Sequence, residues 1–137
     1  NTGLMNGDIK LGGGADLYDG RSGKVVGTVF GGDGDDDIRG GKEKNILDGG
    51  NDDDVLAGGK GNDTFVFAEG YGKDRIADFG KGNDRIDVSA WAAVDSFADV
   101  KSHATNHGAD VWIKAGSDVL IIENTHKADL HNGDFIF

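Results

Sequence analysis

The sequence predicts an all-β chain of short strands and glycine turns stacked along one axis. Three observations predict it: a nine-residue period, glycines at fixed places within each period, and one apolar position per period. From Gly31 to Val66 the chain divides without remainder into GGDGDDDIR, GGKEKNILD, GGNDDDVLA and GGKGNDTFV, each opening on Gly-Gly and carrying an aliphatic or aromatic eighth residue. The register extends backward to LGGGADLYD at Leu11–Asp19 and to GRSGKVVGTVF at Gly20–Phe30, which is two residues longer. The eighth-place ladder is Ile9, Tyr18, Val29, Ile38, Leu47, Leu56 and Phe65, so one insertion accounts for its only irregular step.

One apolar residue in nine lines no helical face, and glycine costs about 1 kcal/mol at each interior helical position. The last three residues of a block can instead extend and point their middle side chain inward, while glycines at the first, second and fourth places permit a tight turn. A single apolar column is too thin a core to offset the ordering entropy of 25 glycines in 137 residues. Something else must hold the turns together.

The sixth place supplies a candidate. Asp16, Asp36, Asn45, Asp54 and Asp63 recur there, all oxygen donors, and calcium takes six to eight hard oxygen ligands from carboxylates and carbonyls. Aspartate dominates the acids, since only Glu43, Glu69 and Glu123 of the 25 are glutamates, and the net charge is -11. Such a surface repels nucleic acid phosphates and anionic lipid, which leaves cations as the natural partners. The absence of Cys excludes a disulfide framework and thiolate metal sites, and the absence of Pro excludes a Pro-rich linker. No stretch approaches the ~18 apolar residues of a membrane span, and Asn1 to Lys10 lacks the basic and apolar runs of a secretory signal. The length suits one domain or part of a larger protein, and the start at Asn1 suggests an excised fragment.

These blocks resemble the RTX family, whose nonapeptide GGxGxDxUx forms a calcium-binding parallel β-roll. The resemblance implies that two successive nonapeptides make one coil, with Ca2+ between repeats n and n+2 along each edge. One row would hold Asp16, Asp36 and Asp54; the other would run from Gly20–Phe30, with Val25 in the acid's place, through Asn45 to Asp63. By the family pattern, main-chain carbonyls of the first four residues complete each sphere. In the first row these are Gly12 and Gly14, then Gly31, Gly32, Asp33 and Gly34, then Gly49, Gly50, Asn51 and Asp52. In the second they are Gly41 and Glu43, then Gly58, Gly59, Lys60 and Gly61. Glu43 and Asp52 replace the fourth glycine of their repeats, and Lys42 and Lys44 flank Asn45.

Two degenerate repeats follow, EGYGKDRIA at Glu69–Ala77 and FGKGNDRID at Phe79–Asp87. The resemblance implies a further calcium near Glu69, Asp74 and Asp84, against the alternative that these acids are solvated or paired with Lys73, Arg75 and Arg85. About three to five ions are expected altogether. The roll is expected over residues 1–87, with core repeats at 11–66 and degenerate repeats at 69–87, and a C-terminal cap over 88–137.

Beyond Ser89 glycine becomes sparse and Trp91 and Trp112 appear, so this part can build an ordinary core. Ser96 is expected to N-cap a short helix with Asp99 at its third position and Phe97, Val100 and Ala104 on one face, ending near Thr105 to Gly108. Strands are expected around Asp110 to Lys114 and Asp118 to Glu123, joined at Ala115 to Ser117, with a last strand at Asp134 to Phe137. The segment resembles the family's C-terminal cap. Its ending, Asp-Phe-Ile-Phe, resembles the acid followed by hydrophobic residues that closes many type I substrates. That implies secretion from a Gram-negative cell by the type I secretion machinery, acting on the C-terminus.

Chemistry finds little support. His103, His107, His126 and His131 share no metal-ligand spacing, HExxH is absent, and no phosphate-loop motif occurs. No catalysis is expected in this chain, and any activity of the parent would lie in an upstream domain. Two function classes remain: a calcium-dependent folding and export module, and a polysaccharide-binding module of the kind found in alginate-modifying enzymes. The second would need Tyr18, Tyr71, Trp91 or Trp112 exposed beside Lys24, Arg39 or Lys42. The simpler expectation places Tyr18 and Trp112 in the core.

Overall fold

The computed structural model describes residues 3–80 and 82–137. Its strands, in chain order, are β1 (Leu4–Asn6), β2 (Ile9–Gly13), β3 (Leu17–Asp19), β4 (Lys24–Val26), β5 (Thr28–Asp33), β6 (Asp37–Arg39), β7 (Ile46–Asn51), β8 (Val55–Ala57), β9 (Thr64–Ala68), β10 (Lys73–Ile76) and β11 (Arg85–Ala90). The one α-helix among the described residues, α1 (Phe97–His103), precedes β12 (Ala104–His107), β13 (Asp110–Ala115), β14 (Asp118–Ile122) and β15 (Phe135–Ile136).

Each repeat ends in a strand because its seventh to ninth residues carry no glycine, and a glycine turn then sends the chain to the opposite sheet. Successive strands of one sheet therefore lie two repeats apart, as the pairs Ile38↔Leu56 and Leu47↔Phe65 record. One sheet runs β2, β5, β7, β9, β11, β15, all parallel. The other runs β3, β6, β8, β10, β14 in parallel and then turns antiparallel through β13 and β12. The expected all-β parallel roll with one short helix is what the chain forms.

The apolar ladder is the core between the sheets. Val29, Ile38, Leu47, Leu56, Phe65, Ile76 and Ile86 are each at most 1% exposed, and the column passes without a break into Phe67, Val88, Trp91, Val100, Val111, Ile113 and Leu120. Both sheets likewise continue past residue 87, through β14 onto β10 and β15 onto β11.

The helix begins as expected, with the Ser96 hydroxyl accepting from the Asp99 amide at 3.2 Å. Its end differs. Residues 104–107 leave the helix at Ala104 and form β12, since Gly108, at φ +65°, closes a tight hairpin that pairs His107 with Asp110 and Thr105 with Trp112. The long block also differs from its expected register. Its two extra residues allow β4 to form and pair with β1, burying Val25, and the pair Thr28↔Ile46 sets Gly27 rather than Val25 beside Asn45.

Candidate metal centre

The turns fall on two opposite edges of the roll. On the first, which joins β2 to β3, β5 to β6, β7 to β8 and β9 to β10, the sixth-place aspartates form a ladder. The amide of Asp16 donates to Asp36 Oδ1 at 2.7 Å, that of Asp36 to Asp54 Oδ1 at 2.8 Å, and that of Asp54 to Asp74 Oδ1 at 3.1 Å. The second oxygen of Asp36, Asp54 and Asp74 is buried with no hydrogen-bond partner. No lysine or arginine pairs with any of the three among the described residues.

Glycine is what brings the carboxylates so far in. A Cβ on Gly31 would lie 2.2 Å from Asp36 Oδ2 and 2.3 Å from the Gly49 carbonyl oxygen, and one on Gly49 would lie 2.1 Å from Asp54 Oδ2. The next glycine stacks the carbonyls. Gly32, at φ +124°, packs so closely that its Cβ would stand 1.8 Å from the Gly12 carbonyl oxygen, and a Cβ on Gly50 would stand 2.1 Å from that of Gly32. Gly14 and Gly34 stack in the same way. Asp52 keeps the turn in the absence of the fourth glycine by taking φ 80° itself, and its Oδ2 accepts from the Gly34 amide at 3.0 Å. Asn51 bonds Asp33 across the coils at 2.7 Å.

The second edge repeats the pattern with fewer free oxygens. The Asn45 amide donates to Asp63 Oδ1 at 2.8 Å and the Asp63 amide to Asp84 Oδ1 at 2.9 Å. Asn45 Oδ1, however, accepts from the Gly41 amide, and Asp84 Oδ2 from the Gly80 amide. Gly58 gives way to Asp63 as Gly31 does to Asp36, and the Gly59 backbone stacks on Gly41 and that of Gly61 on Glu43. Lys60 donates its amide to the Gly41 carbonyl. Glu43 is exposed and reaches Lys24 at 3.6 Å.

The acids expected to share one further ion are not brought together. Asp74 ends the ladder of the first edge, Asp84 that of the second, and Glu69 is exposed. The coil alternates edges with each turn, so successive degenerate repeats present their aspartates to opposite sides. Of the bases named as alternative partners, Arg75 binds Glu123 at 2.6 Å instead.

Asp78 and Asp118 also engage the turns. Asp78 accepts from the amides of Gly58 and Gly59 at 2.8 and 2.9 Å. Asp118, 48 residues from Gly70, accepts from that amide at 2.9 Å and from that of Gly72 at 3.4 Å. Neither sits at the sixth place. The one local sign is the single residue, Asp78, left over between the two degenerate nonapeptides.

Burial raises the ladder acids' affinity for protons: Asp54 is pushed up to about 7, Asp63 to about 6 and Asp74 to about 8, and Asp36 is raised for the same reason. Neighbouring aspartates add to the shift, while the amide bonds oppose it. In the unfolded chain these groups return towards 3.8. The metal-free fold therefore holds protons more tightly than the unfolded chain. This contribution is complete below about pH 4 and is lost as pH rises through the window from 6 to 8. Without calcium, the β signal in circular dichroism is expected to be larger at pH 5 than at pH 8; an equal or larger signal at pH 8 would contradict that burial.

The residues fit a hard divalent cation. An isolated buried carboxylate is costly, and calcium accepts carboxylates and carbonyls together in a flexible sphere. Among the described residues no three acidic or imidazole side chains converge on one point, so the stacked carbonyls must complete any such sphere.

The RTX calcium-binding nonapeptide repeat matches residues 30–65, in four copies. No curated protein matches the chain. Among solved structures, the extracellular lipase LipA from Serratia marcescens is similar with a TM-score of 0.76 and 22% identity, over 90% of this chain and 20% of that chain. The chain thus spans about a fifth of the lipase. The solution structure of the AlgE6R3 subunit from the Azotobacter vinelandii mannuronan C5-epimerase is 27% identical over 100% of this chain and 80% of that chain, with a TM-score of 0.45. Residues 30–65 therefore match the RTX calcium-binding nonapeptide-repeat model, and the fold built around them is a parallel β-roll.

Proposed function

We propose that the chain is a module of a larger secreted protein that folds on meeting extracellular calcium and supports type I export and stability of its parent. The observation that carries this reading is the buried column of Asp36, Asp54 and Asp74, each with one oxygen lacking a partner. Residues 88–137 act as its cap and carry the export information. Where free calcium is scarce, glycine entropy and carboxylate repulsion keep the repeats open. Outside, the ion takes the place of the protons, and the ladder aspartates and turn carbonyls hold it. Extracellular calcium modules bind with Kd of roughly 10⁻⁴ to 10⁻³ M, and a site filled at about ten to a hundred times Kd adds ~1.4 to 2.7 kcal/mol. A few such sites match the stability of a small domain.

Circular dichroism during a calcium titration, with magnesium as control, tests it. A cooperative gain of β signal with calcium alone is expected, because magnesium demands a small octahedral sphere and sheds water reluctantly. A spectrum indifferent to calcium refutes the folding switch.

A second reading, binding of an acidic polysaccharide, is favoured by one groove of about 320 Å³ on the second edge, lined by Arg21, Lys42 and Lys60 together with one acid, Asp78. The aromatic platform considered from sequence contributes less. Trp91 is buried and Tyr71 bonds Asp48, although Trp112 stays half-exposed with Lys73 over its ring. Lys42→Glu with Lys60→Glu is expected to lower retention on immobilised alginate by at least about ten-fold if this reading holds; unchanged retention, or none by the parent chain, removes it.

A further inference from the structure

Two of the chain's asparagines, Asn6 and Asn132, precede a glycine, and both dipeptides are exposed. Their backbones differ. Asn6 ends β1 and pairs with Val26, and the Gly7 amide donates to the Val26 carbonyl at 2.9 Å. Asn132 opens a 3-10 turn, Asn132–Asp134, that leads directly into β15. The turn is held by the Asp134 amide on the His131 carbonyl at 3.0 Å, by the Phe135 amide on the Asn132 carbonyl, and by Asp134 Oδ2, which accepts from the His131 amide at 2.7 Å. None of these involves the Gly133 amide or the Asn132 side chain, and neither group makes a hydrogen bond among the described residues. A Cβ on Gly133 would meet nothing within 4 Å, so the space beside that nitrogen is open.

We infer that Asn132 is a site of self-modification, with water as the co-reactant. The Gly133 nitrogen, its proton lost to solvent, bonds to Asn132 Cγ; the Cγ–Nδ2 bond breaks, and Nδ2 leaves as ammonia after taking a proton from solvent. The product is a cyclic succinimide. Water then opens the ring: cleavage between the Gly133 nitrogen and Cγ gives aspartate, and cleavage between that nitrogen and the Asn132 main-chain carbon gives isoaspartate, whose backbone runs through Cγ and is longer by a methylene. Ring closure requires the turn to open, and a 3-10 turn of three residues opens locally at small cost. At Asn6 the same step must first break a strand pair, so the fold selects Asn132. The consequence falls on β15, which is joined to β11 through Ile86↔Phe135 and Asp87↔Ile136 at the outer edge of its sheet. Phe135 is buried, with its ring 6.2 Å from that of Phe97. A longer backbone immediately ahead of Phe135 displaces this register, so the reaction is a slow, one-way release of the last strand. It does not depend on which ion the edges hold.

The test ages the full chain in mildly alkaline buffer with saturating calcium and follows tryptic peptides by mass spectrometry, with fragmentation locating each change. Cleavage after Lys10 and after Lys127 places the two asparagines in separate peptides. The Asn132 peptide is expected to gain roughly 1 Da, as ammonia is exchanged for water, at least about ten-fold faster than the Asn6 peptide. In urea, where no strand pair protects Gly7, the two rates should converge. Gly133→Ala fits the open space around that residue while crowding the attacking nitrogen, and is expected to slow the gain at least about ten-fold. Hydrogen exchange at Phe135–Ile136 should be faster in the aged chain, and unchanged in aged Gly133→Ala and in fresh Asn132→Asp, which carries the charge without the longer backbone. No gain at Asn132, or equal rates at Asn6 and Asn132 in the folded chain, overturns the site. Exchange at β15 that ageing leaves unaltered, or that fresh Asn132→Asp already speeds, overturns the release by a longer backbone.

Discussion

Asp54→Ala is expected to destabilise the calcium-loaded chain by ~3–5 kcal/mol and to leave the metal-free chain at pH 8 nearly unchanged. The asymmetry comes from its place in the middle of the ladder. Its Oδ1 receives the Asp36 amide and its buried Oδ2 faces no donor, so under the proposed calcium reading the carboxylate would serve cation positions on both sides of its coil. Loss of a shared ligand weakens both positions, each contributing ~1.4 to 2.7 kcal/mol when filled. The orphaned Asp36 amide adds about 1 to 3 kcal/mol. Without calcium the balance shifts, because burial pushes the Asp54 carboxyl up to about 7 and its removal relieves that cost at pH 8. Urea unfolding in saturating calcium measures the loss, and circular dichroism of the metal-free chain at pH 8 shows whether its β content changes. An equal loss in the two conditions would mean that Asp54 is a structural hydrogen-bond acceptor and no ligand.

Gly31→Ala should be strongly damaging. Its Cβ would meet the Asp36 carboxylate at 2.2 Å and the Gly49 carbonyl at 2.3 Å, one side from its own turn and one from the next coil. Backbone on one side and a buried ladder carboxylate on the other leave no direction in which to yield, so a loss of about 4 kcal/mol or more is expected. Gly13→Ala is the matched control. A Cβ there meets nothing within 4 Å, and its φ is not in the left-handed range. That substitution should stabilise by ~0.4–1 kcal/mol through the unfolded chain. Thermal unfolding in calcium compares the two, and effects of equal size would show that the turn is not packed as described.

The repeat core was legible because its signals are local and redundant: spacing, glycine placement and the apolar eighth residue all fix the same strands. The sixth-place residues Asp16, Asp36, Asn45, Asp54 and Asp63 followed from register, and their division between two edges from the family resemblance. What the sequence hid depends on distance. Asp118 reaches Gly70 and Gly72 from a hairpin 48 residues away, so no periodicity points to it. Asp78 enters through a single extra residue that a nine-residue template passes over. Residues 104–107 read as helix end because the pattern there is short, whereas their conformation is decided by pairing with β13. Placing Val25 at the acid's position failed for a related reason: the insertion in its block shifts the register by the two residues needed for β4.

The sixth-place bonds all run one way, from the amide of an earlier coil to the carboxylate of a later one. The later end carries the buried side chains from Trp91 to Leu130. Such an arrangement behaves as a one-dimensional crystal with its seed at the C-terminus. Each coil that settles presents the same surface to the next, so addition repeats one reaction at a single growing face, and melting should retreat from that same face.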